Sequence, residues 1–274
     1  MAETQLISAS LGLVVGLILA LTGAGGGILA VPLLIFGLHL TVAQAGPISL
    51  LAVAIAAGVG AALGLRAGIV RYRAAGMIAS TGVIMSPIGI WLAQRIPNTP
   101  LTLLFVCILI YVSVRMLRQA ASELHGTEVM TMRTAPPCQV DPAVGRLRWS
   151  LPCARALMFS GTLAGLASGL LGVGGGFVIV PALKTVTDLG MRSIVATSLA
   201  VLMLVSAGGV TAAAIGGHLA WPLALPFAAG AIVGMYVGGL FSGYLAGPRL
   251  QQTFAVVALV VAAGLLLRTT IHAL

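Results

Sequence analysis

A ten-residue pattern, G-x-G-G-G-x-x-x-V-P, occurs twice in this chain and restricts its fold more than any other feature. The first copy opens Gly23-Ala24-Gly25-Gly26-Gly27-Ile28 and closes on Pro32. The second starts 149 residues later as Gly172-Val173-Gly174-Gly175-Gly176-Phe177 and closes on Pro181. At that offset residues 15–34 and 164–183 share ten identities in twenty positions. Each copy lies between two apolar runs. A unit doubled in an apolar chain predicts two homologous halves with a site at their interface.

The surroundings of the repeat are those of a membrane protein. Hydrophobic residues make up 59% of the chain and charged residues 7%, against about 25% charged in soluble domains. Lipid must therefore cover most of the surface. A cleaved leader does not account for this, because apolar segments continue to the C-terminus. The net charge of +9 is gathered in short loops, as expected when Lys and Arg stay on the cytoplasmic side. No basic stretch interleaved with aromatics suggests nucleic-acid binding. Cys107 lies in an apolar run, whereas Cys138 and Cys153 lie 15 apart in a polar stretch. Neither spacing matches a zinc or redox motif, so the three are read as free thiols.

The order of segments repeats. Residues 6–21 are apolar, then comes the Gly cluster, then an eleven-residue arm, 28–38. Such an arm reaches about 16 Å as helix, against a hydrocarbon core of about 30 Å. It cannot span alone. Full spans follow at 42–65, 74–93 and 101–117, the second interrupted by Ser86-Pro87, where a kink is expected. The second half runs 156–171, the Gly cluster, a short arm 177–186, and spans at 194–215, 223–245 and 254–267. The expected fold is an all-α polytopic membrane protein. Two repeats, 1–118 and 155–274, are joined by a polar cytoplasmic linker, 119–154.

The interrupted element allows two geometries. As a re-entrant hairpin it goes in and returns on one side, which leaves an odd number of crossings per half and inverts the halves. As one broken crossing it gives four crossings per half and parallel halves. With the loop 66–73 and the linker inside, the hairpin leaves only Arg95 and Arg268 outside, twelve Lys and Arg against two. The broken crossing leaves Arg95, Lys184, Arg192 and Arg249 outside, ten against four. The basic loop's counterpart, 216–221, has no Lys or Arg. Charge bias therefore favours inversion.

Gly lets backbone turn sharply and approach a ligand. Unpaired backbone survives at membrane depth only when buried in protein or facing a polar cavity. Ile28 and Phe177 begin short helices whose first N–H groups lack partners and carry the positive dipole end, so each is a candidate anion site. Two such starts are expected to hold one small oxyanion, with close helix packing as the competing use of the glycines. Ser49 and Ser198 align at the same offset, beside Thr197, as candidate donors; back-bonding to their own helix is the alternative. All five acidic residues, Glu3, Glu123, Glu128, Asp141 and Asp188, lie outside the spans. That argues against a cation carrier. Arg66 and His218 start corresponding loops and are candidate gating or coupling groups; Lys184 either attracts an anion or snorkels. Nothing forms a catalytic set, a metal cluster or a cofactor motif, so no enzyme, metal or cofactor is expected.

The double Gly motif, Ala196-Thr197-Ser198-Leu199 and the R-A-G-I-V-R-Y run at 66–72 together resemble the TauE/SafE family, also called the toluene sulfonate uptake permeases. The resemblance covers nearly the whole chain. It implies an inner-membrane permease for sulfite, sulfoacetate or another sulfur-containing or organic anion, with sulfite export the activity that names the family. It carries onto Gly23, Gly25, Gly26, Gly27 and Pro32, onto Gly172, Gly174, Gly175, Gly176 and Pro181, and onto Thr197 and Ser198. Ile48 stands where Thr197 has its counterpart, so in the first half only Ser49 remains. The expected partners are a small anionic substrate, sulfite or an organosulfonate, and the lipid bilayer, not nucleic acid; a homodimer is allowed. The competing readings are an anion channel with the same site and a membrane scaffold without transport.

Overall fold

Lipid offers the backbone no hydrogen-bond partner, and the chain answers with helices throughout its apolar length. The computed structural model describes residues 2–22, 26–124, 138, 140–141, 146–147, 150–245 and 248–271. Among these, ten helices form: α1 (Ala2–Thr22), α2 (Gly26–Leu38), α3 (Val42–Arg66), α4 (Tyr72–Arg95), α5 (Asn98–Leu124), α6 (Leu151–Leu171), α7 (Gly176–Val186), α8 (Met191–Ile215), α9 (Trp221–Leu245) and α10 (Pro248–Ile271). Seven of them, α1, α3, α4, α5, α6, α8 and α9, are long and apolar enough to cross a membrane. The two arms after the Gly clusters, α2 and α7, are not. Helix α4 continues through Pro87 as one element.

Local chemistry sets the helix starts. Thr41 caps α3: its hydroxyl accepts from the Gln44 N–H while the Gln44 side chain accepts from the Thr41 N–H, a capping box. Gln44 therefore serves the helix start. Ser150 caps α6 by accepting from the Cys153 N–H.

The halves pack in matching pairs. Helix α1 lies on α9 as α6 lies on α4; α3 lies on α8, and α5 on α10. Small residues four apart bring these backbones together. A methyl group on Gly12 or Gly16 would collide with the carbonyls of Phe227 and Ala231. One on Gly165 or Gly169 would collide with those of Gly82 and Ser86. Residue numbers rise together along both interfaces, so each of these two pairs is parallel. Helices α3 and α8 run the other way. Gly64 meets Ala196, Gly60 meets Leu199, and Leu50 meets Gly209. This pair is antiparallel.

The linker corrects one expectation. Cys138 and Cys153 form a disulfide with Cα atoms 4.9 Å apart, while Cys107 is free and exposed. The Cys138 N–H also donates to the Val186 carbonyl at 3.0 Å, and Cys138 bridges to Thr187. One linker residue thus holds both the first turn of α6 and the end of α7. The chain runs out along α6 and back along α7, and both ends of this Gly-turn element share one side. The pairing places Cys138 beside both ends of the element, which a spacing of 15 does not reveal. The linker also holds a short hairpin, Val140–Asp141 paired antiparallel with Arg146–Leu147. Denatured, purified protein should therefore take up one maleimide per chain before reduction and three after it. Three labels before reduction would contradict the pairing.

Candidate functional site

The second Gly turn is built from left-handed backbone. Gly172 has φ 73°, Gly174 φ 76° and Gly175 φ 75°, a conformation that costs other residues about 1–2 kcal/mol each. Gly172 ends α6, its N–H donating to the Ser168 carbonyl at 2.8 Å. Gly175 is the N-cap of α7, and its carbonyl accepts from the Val178 and Ile179 N–H groups at 3.0 and 3.2 Å. The N–H groups of Gly176 and Phe177, which open α7, have no intrahelical partner. All residues from Leu171 to Gly176 are buried.

The turn sits where α3 crosses α8. A methyl carbon placed on Gly174 would lie 2.8 Å from Val53, 2.9 Å from Leu202 and 3.1 Å from the Ser206 Oγ. Val53 and Leu202 are equivalent at the 149-residue offset, and each is near the middle of its helix. Gly172 packs on Gly46 at Cα level. The start of the other short arm comes to the same place: a methyl on Gly27 would collide with the Val173 carbonyl and lie 3.4 Å from Val53. The two halves thus bring their Gly elements into contact, although 149 residues separate them.

The named residues divide as follows. Gly26, Gly27, Ile28 and Pro32 are buried in α2, whereas Gly23 and Gly25 lie outside the described residues. Gly172, Gly174, Gly175 and Gly176 form the second turn; Phe177 and Pro181 follow it in α7, half-buried. Ser49 is fully buried on α3, one helical turn from both Gly46 and Val53, and its hydroxyl has no partner. Thr197 and Ser198 are also fully buried, but their hydroxyls are engaged. Thr197 accepts from the Arg71 N–H at 3.0 Å, and Ser198 donates to the Val195 carbonyl at 2.8 Å. Arg66 and His218 are exposed and sit at the C-terminal ends of the antiparallel α3 and α8, so the fold does not bring them together. Lys184 is half-buried in the last turn of α7, away from the Gly turn.

Four hydroxyl groups were not singled out by sequence: those of Thr81, Ser86, Ser168 and Ser206. Thr81 ties α4 to α6 by donating to the Met158 carbonyl at 3.1 Å. Ser86, Ser168 and Ser206 are buried without a hydrogen-bond partner. Among the described side chains, every buried polar one is Ser or Thr. No group of three or more His, Cys, Asp and Glu able to hold a metal occurs among the described residues.

Seven helices able to span a membrane, with two short arms meeting between the halves, define a polytopic membrane transporter. The sequence profile of the sulfite exporter TauE/SafE family matches residues 8–265, and the chain belongs to that family. A "Probable membrane transporter protein" of Xylella fastidiosa (strain 9a5c) is 30% identical over 266 residues, covering 95% of this chain and 94% of that protein. "Probable membrane transporter protein YunE" of Bacillus subtilis (strain 168) is 29% identical over 237 residues, covering 83% of this chain and 85% of that one. No solved structure gives a significant match. The protein is a multi-pass transporter of the cell membrane.

Two effects converge on Gly174: its φ and its crowded neighbours. Gly174→Ala should destabilise the purified protein by about 1–2 kcal/mol or more, read as a lower thermal midpoint in detergent. Gly190→Ala, with φ −63° and open space around it, should leave the midpoint unchanged. Equal midpoints for the two variants would contradict the geometry of the turn.

Proposed function

We propose that this protein is a secondary transporter of a small sulfur-containing oxyanion, with sulfite as the leading substrate and export as the direction. The observation that carries the reading is the meeting of Gly27 with Val173 between α3 and α8. It brings an interrupted backbone to the interface of the halves, where a polar ligand makes the interruption tolerable. The positive dipole end of α7 and uncharged hydroxyls suit an anion. Among the described residues Glu3, exposed in the first turn of α1, is the one Asp or Glu within a candidate span, and the lack of a buried carboxylate there speaks against a cation as cargo. The choice of sulfur rests on the family description.

In this reading the residues bind and position and carry out no covalent chemistry. The first N–H groups of α7 and the Ser49 hydroxyl donate to the anion's oxygens. The turn glycines let the anion approach the backbone. Alternating access follows from one half moving against the other, with the α3/α8 crossing as the fulcrum. The halves are inverted in the membrane: the antiparallel packing of α3 on α8 supports this, as does the return of α7 to the side where α6 begins. An axis exchanging two antiparallel spanning helices lies in the membrane plane. The linker then faces the cytoplasm with the basic loop.

Counterflow separates a carrier from a channel. Proteoliposomes loaded with unlabelled sulfite should accumulate radiolabelled sulfite transiently above equilibrium, and faster than empty ones. Flux without stimulation from the opposite side would favour the channel. No flux of sulfite, thiosulfate, sulfoacetate or sulfate would overturn the transport reading.

A further inference from the structure

The default fate of a serine hydroxyl inside a membrane helix is to bond back to a carbonyl three or four residues earlier. Several buried serines here do so. Ser113 donates to Leu109 at 2.7 Å, Ser160 to Ala156 at 2.7 Å, and Ser198 to Val195 at 2.8 Å. Four do not. Ser49, Ser86, Ser168 and Ser206 are each 0% exposed, and none of their hydroxyls has a partner. A buried hydroxyl left without a hydrogen bond is costly, so four of them require an explanation.

They are at one place. Ser206 Oγ lies 3.1 Å from where a methyl of Gly174 would be, and Ser86 Oγ lies 2.7 Å from the same point on Gly209, one turn along α8. Ser168 shares a face of α6 with Ala164, one turn away, whose carbonyl touches the Gly175 position at 2.5 Å. Ser49 lies between Gly46 and Val53, which pack on Gly172 and Gly174. Four helices, α3, α4, α6 and α8, thus carry these serines close to the second Gly turn.

Among the described residues the first Gly element has no such set. At the 149-residue offset the counterparts are Ser198 for Ser49, Met235 for Ser86, Leu19 for Ser168 and Ala57 for Ser206. Three are apolar, and the fourth is the serine that bonds back to its own helix. The packing supports the offset: Met235 touches the Gly60 position as Ser86 touches Gly209. The halves share a fold and differ in polarity at their turns.

We infer that the chain has one anion site, not two, at the second Gly turn, where Ser49, Ser86, Ser168 and Ser206 donate to the oxygens of a single small oxyanion. This rests on the transport reading and assigns the whole site to the second of the two Gly elements, where the sequence alone suggests that both contribute. The donors are all neutral, so selectivity comes from the number and placement of hydroxyls rather than from a fixed cation. The first turn then serves as a packing partner, its Gly27 closing on Val173.

Binding of radiolabelled sulfite to the purified full-length protein tests this. Wild type should bind one sulfite per chain. Ser206→Ala and Ser168→Ala should each weaken binding roughly tenfold or more, since each removes a hydrogen bond to a charged ligand. Ser113→Ala should bind as wild type, and gel filtration should show all variants eluting alike. Two sulfites per chain, or unchanged binding in both Ser206→Ala and Ser168→Ala, would overturn the single asymmetric site while leaving the transport reading standing. Wild type that neither binds sulfite nor carries it in counterflow would overturn both.

Discussion

The structure depends on one constraint: inside a membrane, a backbone that stops being helical must find partners other than water. The sequence carries a Gly interruption in each half. At the second stop Gly172, Gly174 and Gly175 take left-handed backbone, and the carbonyls of Ser168 and Gly175 keep the adjoining helix ends bonded. The turn itself packs against the crossing of α3 and α8. The disulfide and the Cys138–Thr187 bridge hold the outer ends of the same element together. A short arm that cannot span is thereby fixed with its start at depth.

Close packing makes the arrangement possible. Glycines four apart bring α1 onto α9 and α6 onto α4 at backbone contact, which leaves no room for a side chain between them. These pairs join opposite halves, so each half is braced by the other. The antiparallel α3 and α8 remain at the centre, carrying Val53 and Leu202 to the turn from both sides. The glycines thus do both jobs that the sequence left open. Some pack helices, and those of the second turn shape a polar interruption. A shared scaffold with unlike turns fits a protein in which duplication supplied the fold and later divergence restricted the polar groups to one half.

Much of the fold was legible from residues alone, because length and apolarity in a membrane leave few choices. The offset of 149 located both short arms, and their lengths excluded a crossing. It also located Ser49, whose hydroxyl is free, and Ser198, whose hydroxyl is not. Offset fixes position, but back-bonding depends on rotamer and neighbours. Ser86, Ser168 and Ser206 escaped notice because they come from three helices with no common spacing; only packing gathers them. The offset did contain a usable signal, since each faces an apolar residue in the other half. The cysteine pair escaped for a similar reason: the contact of Cys138 with Thr187 is set by a linker fold that no local pattern announces.

The central claim is that two Gly elements approach one another from opposite sides of the membrane. Reporter fusions test it most directly. One reporter inserted in the linker and another fused after Leu274 should report opposite sides, the linker inside and the C-terminus outside. Both reporters inside would contradict the account, because the halves would then be parallel and the two turns would enter from one face.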